Sequence, residues 1–191
     1  NGKPLKSINQ YYNKKLANLK SKLINEKKTS KRIKSLTNKR NNKVNDYLHK
    51  ASRLITNYLV SNNINTLVIG KNKEWKQDVN IGKKNNQNFV QIPHSRLIDM
   101  LLYKCKLRGI NVLLTEESYT SKCSFLDDED IKKHKVYKGN RIKRGLFKSS
   151  EGVLINADVN GSLNILKKVV GEFQYPIEVC STPAVITVKL N

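Results

Sequence analysis

Acidic residues are scarce in this chain: 15 Asp and Glu stand against 37 Lys and Arg, for a formal net charge of +22 on 191 residues. That excludes the near-balance of an ordinary soluble domain and points to polyanionic partners. Cysteine is almost as rare. Cys105, Cys123 and Cys180 are too few and too scattered for a disulfide framework or a four-thiolate metal site, so reduced thiols are expected. No apolar run approaches the roughly 18 residues of a membrane-spanning helix, and the amino terminus is not signal-like. No membrane partner is expected, and a cytoplasmic, nucleoid-associated location follows if the source is prokaryotic. The sole methionine is Met100, and with Asn1-Gly2-Lys3-Pro4 at its head the chain reads as a fragment of a longer protein. Hydrophobic residues still make up 38%, enough for a modest α/β core.

What is present divides into segments. Over residues 1–62, Ile8, Tyr12, Leu16, Leu19 and Leu23, then Tyr47, Leu48, Ala51, Leu54, Ile55 and Tyr58, recur at three and four residues. Such spacing predicts two helices. Between the stripes lie the basic runs 27–32 and 38–43, which predict a long helical hairpin with a basic connection. In residues 63–118, Leu67-Val68-Ile69-Gly70 reads as a buried strand, Lys71 to Gln91 as a polar loop, and Pro93 as the start of a helix facing inward through Leu97, Met100, Leu101 and Cys105. Gly109 ends that helix and Ile110 to Thr115 reads as a second strand. A strand–helix–strand crossover makes the two strands parallel. Residues 119–152 carry an acidic cluster, Asp127 to Asp130, then a predicted β-hairpin that turns at Lys138-Gly139-Asn140. Residues 153–170 place Asp158 where a strand-like run becomes a helix, and 171–191 read as an irregular tail.

Two spots carry candidate chemistry. Glu116 and Glu117 end a predicted central strand, and Asp158 sits at a strand-to-helix junction with Asn160 beside it. Carboxylates so placed suit Mg²⁺, which takes a few carboxylates plus waters and substrate phosphate, and two such ions serve phosphodiester hydrolysis. The competing reading of Asp158 is a helix amino-terminal cap; for either glutamate it is a solvated strand end. Expected nucleic-acid contacts are Lys31, Arg32, Lys39 and Arg40 on the hairpin, Lys122, then Arg141, Lys143 and Arg144, with Asn160. A solvated face competes for each single cation.

The runs LVIGKNKEWKQDVNIGKKNNQNFVQIP, TEESYTSKCSFLDDE and RIKRGLFKSSEGVLINADVNGSLNILKK resemble the later part of TnpB (OrfB) proteins, relatives of type V CRISPR effectors and of Fanzor proteins. Tyr119-Thr120-Ser121-Lys122 and Asp158-x-Asn160 with Asn164-Ile165 carry the resemblance most specifically. It implies a partial RNase H-like (RuvC) α/β fold with three metal-binding acids, the third matching Asp158 and the first lying upstream of Asn1. Where the family usually has the second, a glutamate after the Leu67-Val68-Ile69 strand, this sequence has Gly70. The neighbouring strand is expected about 4.8 Å away, and a glutamate at its end is expected to reach the same metals. Glu117 is the expected ligand with Glu116 behind it, since alternation turns them to opposite faces. The family's zinc ribbon keeps only Cys123 here, so no zinc is expected, and Phe125, Leu126 and Phe147 are expected to hold a small insert in its place.

Three functions follow from these readings. The first is the carboxyl-terminal nuclease part of an insertion-sequence-encoded, guide-RNA-directed DNA endonuclease using Mg²⁺, with guide RNA and target DNA as partners; the segment by itself, lacking the first aspartate, is expected to be inactive. The second is a nuclease-dead relative that binds RNA and DNA, which Gly70 favours. A basic structural RNA-binding protein comes third, because it gives the Glu-Glu-Ser-Tyr-Thr-Ser-Lys and Asp-Val-Asn motifs no purpose.

Overall fold

Ser30 heads a helix of 31 residues, its hydroxyl accepting the Ile33 amide at 3.3 Å. In the computed structural model, which describes residues 2–24, 27–72, 93–173 and 188, this helix α2 (Lys31–Ser61) runs antiparallel to α1 (Lys3–Lys20) as a hairpin. The connection is residues 21–30. Asn38 to Lys43, expected to belong to it, lies inside α2 instead: a polar run without Gly or Pro leaves every backbone bond of a helix available. The chain divides into two compact units, Asn1–Asn65, Lys76–Ile110 and Ile186–Asn191 in one, Thr66–Trp75 and Asn111–Val185 in the other.

In the first unit, Leu5 and Ile8 of α1 pack against Val44, Tyr47, Leu48 and Ala51 of α2. Met100 and Leu97 join them from α3 (His94–Lys106), the helix expected after Pro93. The Lys104 ammonium donates to the His49 carbonyl at 2.7 Å and the Ser52 hydroxyl at 2.6 Å. Burial, and then the charge of Arg53, push its pKa down. Among the described residues no helix is long and apolar enough to cross a membrane.

In the second unit, β1 (Thr66–Gly70) and β2 (Asn111–Thr115) pair in parallel, Gly70 opposite Thr115, as the crossover required. A three-stranded antiparallel sheet follows, β3 (Asn140–Lys143), β4 (Leu146–Lys148) and β5 (Leu154–Asn156). The hairpin therefore turns at Arg144-Gly145, with Gly145 at φ 79°, and not at Lys138-Gly139-Asn140. Gly139 instead makes room for an aromatic ring. A Cβ there would lie 2.5 Å from the Phe147 ring, so only glycine lets the backbone cross that ring. β5 leads without a loop into α4 (Ala157–Val170), which packs on β1, β2, β4 and β5. The mixed α/β class is as expected. Most of the expected polar loop Lys71 to Gln91, with Trp75 and Phe89, and most of the tail with Cys180 lie outside the described residues.

The insert is held by an apolar cluster and by buried polar groups. Phe147, Ile155, Ala157 and Leu163 form its core, with Phe125 and Leu126 against them, as the sequence suggested. Cys123 is a free, buried thiol facing the carbonyls of Asp130 and Lys132 at 3.4 and 3.6 Å. Nearby, the buried Glu129 carboxylate accepts the Ser124 amide at 2.8 Å and the Lys138 amide at 2.9 Å. The acidic cluster thus ties strand-poor loops together from within, where backbone donors would otherwise go unpaired.

Asp127 adds a pH-dependent tie. It accepts the Ser150 amide through both oxygens, at 3.0 and 3.2 Å, and the Ser150 hydroxyl. Partial burial raises its pKa, but bonds to Ser124 and Ser150 and the charge of Lys138 outweigh this and hold it below the ordinary 3.8. A depressed folded pKa gives stability that is present above the unfolded value and lost as pH falls through the folded one. The thermal midpoint should therefore fall more steeply below about pH 4 in the wild type than in Asp127→Asn; equal slopes would remove Asp127 from the account.

Candidate nuclease site

Gly70 ends β1 beside Thr115, and the two residues after Thr115 are the paired glutamates. The chain leaves the sheet in a tight turn. The Glu117 amide donates to Asn72 Oδ1 at 3.0 Å, and the Glu117 carbonyl accepts the Thr120 amide at 3.3 Å and its hydroxyl at 2.8 Å. Tyr119 takes a left-handed φ of 65° in that turn. These bonds fix the Glu117 backbone at the carboxyl end of the parallel pair, the edge where α/β sheets carry their sites.

The two glutamates are treated differently by the fold. The Lys168 ammonium, on α4, binds the Glu116 carboxylate at 3.2 Å and the carbonyls of Glu116 and Ser118 at 2.9 Å each. Ser118 also donates to the other Glu116 oxygen. Glu117 turns toward Gly70: a Cβ built on Gly70 would lie 2.9 Å from Glu117 Oε2, 3.0 Å from Glu117 Cβ and 2.8 Å from Ile165 Cδ1. The Glu117 side chain thus fills the room a side chain at position 70 would take.

Asp158 lies in the first turn of α4, but it does not cap the helix. Asn156 does, its Oδ1 accepting the Asp158 amide at 2.9 Å and the Val159 amide at 3.3 Å. The Asp158 carboxylate is left 87% exposed, with Arg141 at 3.8 Å. Asp158 and Ile165 are seven residues apart, two turns on one face of α4, so Asp158 stands about 10 Å along the axis from the residue that covers Gly70.

Asn160, expected among the nucleic-acid contacts, is a correction. It has no exposed surface; its Oδ1 accepts the Phe125 amide at 3.0 Å and its Nδ2 donates to the Cys123 carbonyl at 2.9 Å. Asn164, one turn on, donates to the Thr120 and Cys123 carbonyls at 2.9 and 2.8 Å. The asparagines of the Asp-x-Asn…Asn motif bolt α4 to the turn that carries Glu117, and a fully buried side chain touches no phosphate.

The other expected contacts are on the surface. Lys122, Arg141, Lys143 and Arg144 are exposed, the Lys122 ammonium 5.9 Å from the Tyr137 ring centre. In the first unit Lys31, Arg32 and Lys39 are exposed, whereas Arg40 is half-buried over Tyr12. Sequence reasoning passed over Lys168 and Asn156. Asn before a first-turn acid is itself a capping signal; Lys168 carried none, since its partners lie some fifty residues away.

Glu117 and Asp158 offer hard oxygen donors of the kind Mg²⁺ prefers. Among the described residues no three His, Cys, Asp or Glu side chains gather into a complete metal site.

A family model described as OrfB_IS605, a probable transposase, matches residues 1–76, and one described as Cas12f1-like, TNB domain, matches residues 94–165. Among solved structures, the chain is similar to one from a cryo-EM structure of a Cas12f1–sgRNA–target DNA complex. The TM-score is 0.52 at 18% identity, over 81% of this chain and 40% of that one. At that identity the likeness is one of fold, and the chain spans under half the length of that relative. No curated protein matches it.

Proposed function

We propose that this protein, similar to the OrfB_IS605 model over residues 1–76 and to the Cas12f1-like TNB model over residues 94–165, is a TnpB-type chain related to the type V effectors and supplies the carboxyl-terminal nuclease part of an insertion-sequence-encoded, guide-RNA-directed DNA endonuclease. Guide RNA and target DNA are its partners, and Glu117 and Asp158 are two of its metal-binding acids on a RuvC-like sheet. The observation that carries this reading is the place of the Glu117 carboxylate. Its Oε2 lies 2.9 Å from where a Gly70 side chain would begin, which supports a carboxylate from the turn after β2 serving in place of one at the end of β1.

Mg²⁺ held there would activate the attacking water and stabilise the leaving oxygen of the phosphodiester. The chain's own residues do the rest. The Glu117 backbone is held at the sheet end by Asn72 and Thr120, which places its side chain at this edge for a cation. Asn156 takes the capping role and frees the Asp158 carboxylate for a ligand. Arg141, 3.8 Å from Asp158, is placed to orient a phosphate beside that acid. Lys168 neutralises Glu116 and keeps a second negative charge from competing for the cation.

Intact protein carrying its guide RNA should cut matched DNA when Mg²⁺ is supplied and stop when it is chelated. Its affinity for DNA should fall steeply with salt: about six phosphate contacts would give roughly a thousandfold loss between 50 and 200 mM. Tight, salt-dependent binding with no cutting would favour the nuclease-dead reading instead. Failure to bind guide or DNA would overturn both.

A further inference from the structure

The apolar seam between α1 and α2 is interrupted. Toward one end it is closed by Leu5, Val44, Tyr47 and Leu48, and on α2 the next buried side chain is Ile33, three turns away. Between them lies an open groove of about 470 Å³, within the roughly 300–1,000 Å³ range of small-ligand sites. Leu36, Lys39, Arg40 and Lys43 face it from α2, and Tyr11 and Tyr12 from α1. Spacings of three, four and seven put the α2 residues on one stripe, and on α1 Ser7 and Ile8, which also line the groove, stand four and three residues before Tyr11 on another. No lining residue is acidic.

The aromatic and cationic groups are arranged in relation to one another. Tyr12 is fixed by a 3.1 Å hydrogen bond between its hydroxyl and that of Thr37. The Arg40 guanidinium lies over the Tyr12 ring, 5.0 Å from its centre, and Nη1 donates to Asn41 Oδ1 at 2.8 Å. Its Nε is buried and has no hydrogen-bond partner. Tyr11 is 62% exposed at the mouth, far more than an apolar contact between two helices requires.

We propose that this groove is a subsite for one unpaired nucleotide, its base stacked against Tyr11 and the Arg40 guanidinium and its phosphate held by Lys39 and Lys43. Every base has a π-face, so stacking on tyrosine and arginine accepts any base, while the two lysines answer the phosphate charge. The site deepens the nucleic-acid reading above and rests on it. It differs from a basic surface in requiring a base, and duplex, whose bases are stacked inside, cannot supply one. Single-stranded RNA and single-stranded DNA share the chemistry.

Fluorescence anisotropy with the full chain tests it, using a short oligouridine, its deoxy counterpart and an abasic oligomer of the same phosphate count. The base-bearing strands should bind about tenfold more tightly than the abasic one. Tyr11→Leu, at an exposed position where leucine keeps the helix, should remove that difference without changing abasic affinity or the salt slope. Arg40→Lys keeps the charge and loses the planar face, so it should act in the same way. Lys43→Gln should weaken all three strands alike and lower the salt slope by about one. A ribose strand favoured over a deoxyribose one would identify RNA as the occupant, and the reverse would identify DNA. Equal binding of base-bearing and abasic strands by the wild type, or no effect of both Tyr11→Leu and Arg40→Lys, overturns the subsite. If those strands still bind with a steep salt slope, the nucleic-acid reading stands without it; if none binds, that reading falls as well.

Discussion

Glu117→Gln should lower Mg²⁺-dependent cutting by the guide-bound protein about a thousandfold or more, with guide and target binding left within about twofold. The substitution keeps shape and removes one negative charge, so it withdraws several kcal/mol of transition-state stabilisation supplied through the metal. The basic surface that holds nucleic acid is untouched. Glu116→Gln is the contrast, because Glu116 faces Lys168 at 3.2 Å and is 55% exposed. An exposed ion pair contributes about 1 kcal/mol or less, so cutting should stay within roughly fivefold. A swap of the two outcomes would move the metal ligand to Glu116. If neither single variant nor the double one changes cutting, the second acid comes from elsewhere.

The largest effect on stability is expected at Phe147. It is 1% exposed, crossed by Gly139 on one side and packed with Ile155, Ala157 and Leu163. Phe147→Ala should cost about 3–5 kcal/mol, read as a lower denaturation midpoint, because the sheet strands on either side cannot close over the void. A loss below about 1 kcal/mol would mean that the insert is held by its polar ties instead. Cutting should suffer as well, since β5 runs directly into the first turn of α4 and carries Asp158 with it.

Most of the elements were legible because each leaves a local period. The three-and-four spacing around Tyr47 and Leu48 located α2, the β-branched run at Leu67 located β1, and the intervening helix fixed the strands as parallel. What was not legible depends on partners distant in the chain. Gly139 looks like a turn residue in sequence and is needed for a close approach to Phe147, and nothing local separates the two uses. The run Asn38 to Lys43 looks like a connection, since polarity marks exposure but does not end a helix. At the candidate site, motifs alone could propose Glu117 and Asp158, whereas the burial of Asn160 follows from Cys123 and Phe125, more than thirty residues earlier.

The arrangement at Gly70 also constrains the order in which such a site could have changed. With Glu117 in place, introducing a glutamate at position 70 alone would set its Cβ 2.9 Å from a carboxylate oxygen and 2.8 Å from Ile165. Two carboxylates forced together cannot both stay ionised without a cation between them. An exchange of the acid between position 70 and position 117 therefore runs, in either direction, through an intermediate that is crowded or one acid short. No single substitution moves the carboxylate from one chain segment to the other; the neighbours, Ile165 among them, must give way at the same step.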